Sequence, residues 1–180
     1  VADLPSARSS LEFDGDGYLR WGEQEASKLM LETLQIESPI EKRLLFRRVI
    51  DSFGLQKLGS RLETAMEGIL SDLRREYDNI LVYGQTVSID EIDRTSPVRI
   101  SSEEDRPFEN IPKEELAGAI VEILKNTFSA DKETLVRDIA RNIYGNRRTG
   151  SKINKKISEA LKYAEKSDLV VQNGGKYKLM

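Results

Sequence analysis

At 180 residues the chain has room for one or two small domains, each with a modest core. Apolar content of 38% and charged content of 33% describe a soluble globular protein, and no apolar run approaches the roughly 20 residues of a membrane span. Cysteine and histidine are both absent, which excludes disulfides, thiolate or imidazole metal sites, a cysteine nucleophile and the commonest general base.

The net charge of −3 is unevenly spread. Residues 131–180 hold twelve Lys or Arg against six Asp or Glu, a balance of +6, so the first 130 residues carry −9. With one segment this basic, the acidic overall balance is a weak argument against a nucleic-acid partner. No secretory segment is evident, and a cytoplasmic location is expected. The chain opens on Val rather than Met and is expected to be a piece of a longer polypeptide.

In chain order, residues 1–23 form an N-terminal extension in which Leu11–Trp21 predicts two short strands around an Asp-Gly turn. Within it, Glu12, Asp14, Asp16 and Glu23 stand at positions 1, 3, 5 and 12 of a calcium-type loop with Gly17 at position 6. Glu rather than Asp at the first position, with no helix entering, makes a hairpin turn the better reading. The first unit, 24–90, begins with a helix over about Glu23–Ile36 that Ser38-Pro39 ends. A second helix covers about 41–52 with Gly54 as its C-terminal cap. A third starts at Gly59-Ser60, where Ser60 and Glu63 have the spacing of a capping box. Ile80–Tyr83 and Thr86–Ile89 then flank Gly84-Gln85 as a hairpin.

A polar connector, 91–112, holds Pro97, Pro107 and Pro112, with Pro97–Ile100 as a possible short strand. Its acidic run Glu103-Glu104-Asp105 reads as solvated linker. In the second unit, 113–180, helices are predicted over 113–126, 131–143 and 151–166, followed by strands at 168–171 and 176–179 around Asn173-Gly174-Gly175.

The two units repeat. Phe53–Leu62 and Tyr144–Ile153 align at an offset of 91, and Leu62, Met66, Ile69, Leu70 and Leu73 fall opposite Ile153, Ile157, Ala160, Leu161 and Ala164. Three helices and a hairpin, used twice, predict a mainly α protein with small β-hairpins, an α+β class built as tandem winged-helix or helix-turn-helix repeats. In such a unit the third helix meets nucleic acid with its outward face. In the second copy Lys152, Lys155, Lys156, Lys162 and Lys166 lie away from Ile153, Ile157 and Leu161. Arg147, Arg148 and Thr149 precede them, Ser151 stands at the helix N-terminus, and Lys176 belongs to the wing. The predicted interface is therefore Arg147, Arg148, Thr149, Ser151, Lys152, Lys155, Lys156, Lys162 and Lys176, contacting duplex DNA mainly through phosphates and with weak sequence selectivity. The matching face of the first copy reads Arg61, Thr64, Ala65, Gly68, Ser71 and Arg75, a largely uncharged surface suited to packing against protein. No catalytic residue, metal site or cofactor is predicted, since there is no nucleophile with a base, no phosphate-binding glycine loop and no dinucleotide fingerprint. The alternative is a protein-interaction or regulatory module with no direct DNA binding.

Ser38-Pro39-Ile40, Phe53 through Arg61, Pro97-Val98-Arg99, Ile111 through Glu115, and Tyr144-Gly145 with Arg148-Thr149-Gly150 together resemble a bacterial domain family of unknown function. That family occurs at the C-terminal end of very large proteins with a superfamily 1 helicase core and a Vsr-like endonuclease domain. The similarity runs over about residues 36–180. It implies an accessory module for DNA processing, with the helicase or nuclease domains of a parent polypeptide as partners, and carries over no catalytic residue. Many members have a histidine after a Gly-Pro-hydrophobic element; here Ser38 replaces the glycine and Glu41 stands near the histidine position, so no role of that histidine transfers.

Overall fold

The computed structural model describes residues 12–13, 19–100, 106–146 and 148–180. The chain is a mixed α+β protein, mostly helical, and divides into two compact units, Val1–Glu91 and Ile92–Met180. No helix among the described residues is long and apolar enough to cross a membrane.

In the first unit β1 (Glu12–Phe13) pairs antiparallel with β2 (Leu19–Trp21). Residues 14–18, the centre of the calcium-type spacing, lie outside the described residues. Helix α1 (Glu23–Glu37) buries Ala26, Leu29, Met30, Thr33 and Leu34, whose three- and four-residue steps make one stripe. The Thr33 hydroxyl donates to the Leu29 carbonyl at 2.7 Å, so the polar member of that stripe is satisfied inside its own helix. The chain continues through β3 (Ile40–Glu41), α2 (Lys42–Ser52), α3 (Ser60–Glu76), β4 (Ile80–Tyr83) and β5 (Thr86–Ile89). The strands form one antiparallel sheet in the order β3-β5-β4, and Leu45, Phe46, Ile50, Met66, Leu70 and Val87 fill the core between sheet and helices. Gly54 sits in the left-handed region at φ +74° directly after α2, where a side chain would be strained. The capping box at Ser60 is corrected. Gly59 is the cap residue, Ser60 is already helical, and no side chain caps the helix.

The second unit begins with residues 92–112, whose short 3-10 turn Phe108–Asn110 leads into α4 (Lys113–Thr127). Then come β6 (Ala130–Asp131), α5 (Lys132–Asp138), α6 (Ser151–Lys166), β7 (Val170–Asn173) and β8 (Lys176–Leu179), with sheet order β6-β8-β7. Its core is separate and centres on Leu116, Ile120, Leu135, Ile139, Ile157 and Leu161. The expected strand at Pro97–Ile100 does not form. The Arg99 backbone N–H donates to the Glu115 carboxylate at 2.9 Å instead, so a buried side chain takes the place of a ladder partner.

Both units run through the same order of helix, strand, two helices and two strands, with matching sheet registers: Ile40 opposes Val87 where Ala130 opposes Tyr177. The offset between them is 90 from α1/α4 to the start of α2/α5 and 91 across the turn and the start of the third helix. It returns to 90 at β4/β7, after a third helix one residue shorter in the second unit. The extra residue is taken up by a π-turn, Ile139–Ile143, which replaces the end of the predicted 131–143 helix. There Tyr144 N–H reaches back five residues to the Ile139 carbonyl at 3.1 Å.

Two helix-interior glycines separate cleanly. A Cβ on Gly68 in α3 meets nothing within 4 Å, whereas one on Gly118 in α4 falls 2.9 Å from the Ser96 carbonyl oxygen. Gly68→Ala is therefore expected to stabilise by about 0.5–1 kcal/mol through helix propensity, and Gly118→Ala to destabilise despite the same propensity. Thermal denaturation of the two variants checks the opposite signs.

Candidate nucleic-acid interface

The buried stripe of α6 is Ile153, Ile157, Ala160, Leu161 and Ala164. Its apolar spacing dictates which residues face water: Lys152, Lys155, Glu159, Lys162 and Lys166 fall on one exposed line at steps of three and four, with Lys156 half-buried beside them. Glu159 interrupts an otherwise cationic row. Among the described residues Lys155 and Lys162 have no ion-pair partner. Lys152, Lys155, Lys156, Glu109 and Glu159 surround an open depression of about 260 Å³.

At the start of α6 the cap is Gly150, with no side chain bonded to the first-turn N–H groups and no acid in that turn. The amide dipoles and the lysines thus act in the same direction, toward an anion. Arg148 and Ser151 are exposed and Thr149 is half-buried, while Arg147 lies outside the described residues. Asn154, the one amide side chain on this part of the helix, spends an N–H on the Gly150 carbonyl at 3.1 Å. That leaves the row with charge but little capacity to read base edges. Lys176 is exposed on β8 opposite Asp131 of β6. Asp131 caps α5 by accepting from the Thr134 N–H at 2.8 Å, a bond that holds its carboxyl below the ordinary Asp range, with Lys176 adding a smaller share.

Tyr144, four residues before Arg148, belongs to a buried charge network. Glu115 of α4 is fully buried and accepts from Arg106, from the Arg99 side chain and backbone, and from the Tyr144 hydroxyl at 3.0 Å. Tyr144 is the residue that the π-turn delivers. Burial, then the adjacent Glu115 charge, pushes its phenol well above the ordinary range, so it stays a donor. Its ring also packs edge-on against Phe108 at 5.5 Å and 82°. The 3-10 turn that supplies Phe108 places Glu109 against Lys152, Nζ to Oε1 2.8 Å. Sequence reading passed over Glu109. The signal for it was Phe108 and Ile111 standing between Pro107 and Pro112, an apolar pair that docks a short turn and so aims the residue between.

On the first unit, the same positions of α3 present Arg61, Thr64, Ala65, Gly68, Ser71 and Arg75, and Arg75 is paired with Asp72 at 2.7 Å. A larger groove of about 550 Å³ between α1 and α3 is lined by Glu23, Lys28, Leu31, Asp72, Glu76 and Tyr77. Its acids outnumber its cations, so size notwithstanding it does not suit phosphate.

The model of a family described as a protein of unknown function (DUF3320) matches residues 20–64, from β2 through α1 and α2 to the first turn of α3. No curated protein and no solved structure matches the chain.

Proposed function

We propose that this chain is a non-catalytic accessory module of DNA-processing machinery, built from two winged helices, of which the second contacts duplex DNA mainly through phosphates. The observation that carries this reading is the exposed row Lys152, Lys155, Lys162 and Lys166 on α6, behind an uncapped helix start and Arg148. The element order supports the winged-helix assignment: α5, the turn and α6 correspond to a helix-turn-helix, and β7–β8 to a wing with Lys176. The tied-up Asn154 amide supports weak sequence selectivity. The motif order over residues 36–180 supports attachment to a large helicase polypeptide with a Vsr-like nuclease domain, whose domains would then be its protein partners. A cytoplasmic setting fits that role.

The test is a fluorescence titration of labelled duplex with the full chain across a series of salt concentrations. Phosphate contacts from Arg148, Lys152, Lys155, Lys162 and Lys176, about five, predict a slope of log K against log salt near about −4.5. Absence of binding at low salt, or a slope near zero, overturns the reading and points to protein docking instead.

A further inference from the structure

We infer that Glu109 is an intramolecular stand-in for a phosphate, neutralising Lys152 at the head of the α6 row and holding down its affinity for polyanions. The inference rests on the DNA reading above and concerns regulation of that same face.

Three observations lead to it. Glu109 and Lys152 pair at 2.8 Å across 43 positions of chain, although both side chains stay substantially exposed, at 48% and 75%. An exposed pair of this kind contributes little to stability, so folding does not require it. Yet the position of Glu109 is not left to chance. Phe108, which opens the 3-10 segment, and Ile111, which follows it, are buried at 4% and 1%, and Arg106 just before them is tied to Glu115. A rigid strap thus presents a single carboxylate to the lysine nearest the uncapped helix start, within the depression shared by Lys155 and Lys156.

The physical consequence concerns counterions. With Glu109 in place Lys152 already has an anion, so a phosphate arriving there must displace Glu109 and leave that carboxylate close to the DNA. Wild-type protein therefore gains less from this lysine than from Lys155, and its salt slope falls short of the full five-contact value by about 0.9, the value that the chain reaches once the carboxylate is removed. Removing the carboxylate also removes a like charge several ångströms from the incoming strand, worth about threefold to tenfold in affinity in a water-like dielectric.

The experiment compares wild type, Glu109→Gln, Lys152→Gln and the double variant in duplex titrations over the same salt series, with melting temperatures recorded alongside. Glu109→Gln is expected to bind about threefold to tenfold more tightly at low salt, with a log–log slope steeper by about 0.9. Lys152→Gln should cost more in the Glu109→Gln background than in wild type. If wild type binds but Glu109→Gln matches it in affinity and slope, or binds more weakly, the stand-in role falls while the DNA reading stands. If none of the four proteins binds, both fall. A lowered melting temperature for Glu109→Gln with no change in slope would mark the pair as a structural tether and also overturn the inference.

Discussion

Replacing Lys152, Lys155 and Lys156 together with glutamate is expected to weaken duplex binding by at least about a thousandfold and to leave the fold intact. The three side chains sit on the outward or edge positions of α6, whereas Ile153 and Ile157, which they alternate with, carry the packing. Each neutralised phosphate contributes about 0.9 to the salt slope, so losing the Lys152 and Lys155 contacts should flatten it by up to about 1.8, and reversal adds repulsion to the loss. Helix α6 should survive because a carboxylate in its first turn complements the positive end of the helix dipole. Lys156 is half-buried, so a glutamine version of the triple variant separates charge from packing. The matching control is Arg61, Thr64 and Ala65 of the first unit changed to glutamate, which should leave affinity nearly unchanged. Titration at low and moderate salt reads both. Equal affinity of the α6 variant and wild type would remove the cationic row from the interface.

The second large effect is on stability. Glu115→Ala is expected to destabilise the second unit by about 3–5 kcal/mol, because it strands the Arg106 guanidinium, only 7% exposed, together with the Tyr144 hydroxyl and the Arg99 N–H. A domain of this size has on the order of 5–15 kcal/mol in total, so the loss approaches unfolding. The cores of the two units are distinct, and amide exchange should therefore show α4 and α6 losing protection while α1 and α3 keep theirs. Glu115→Gln keeps the shape and one acceptor oxygen and should lie between. Melting curves close to wild type for Glu115→Ala would mean that the network contributes far less than its burial implies.

Much of the architecture was legible before any coordinates. Helix α6 was predicted at its observed bounds because apolar residues at steps of three and four admit one solution over a segment of that length. The hairpin strands β4 and β5 followed from β-branched runs around Gly84-Gln85, and the left-handed Gly54 from its place after an amphipathic helix. The lysine row came with α6, since once the buried face is known the exposed one is its complement. Strands β3 and β6 were missed for an equally simple reason: two residues have no period, and each exists only because a hairpin strand lies beside it.

The sequence by itself thus determined the local elements, the order in which they recur and the charge of the face that α6 turns to water. All of these depend on neighbours within a few positions along the chain, where helix and strand geometry is already known. Tertiary structure alone decided that Glu115, on pattern an ordinary first-turn acid, is a fully buried acceptor, that Glu109 reaches Lys152, and that a methyl group is tolerated on Gly68 and not on Gly118. It also decided that one extra residue before the turn is absorbed as a π-turn rather than as a longer loop. Each of these turns on atoms brought together from distant parts of the chain or on how a helix end is packed, and such proximity has no local period for a sequence to display.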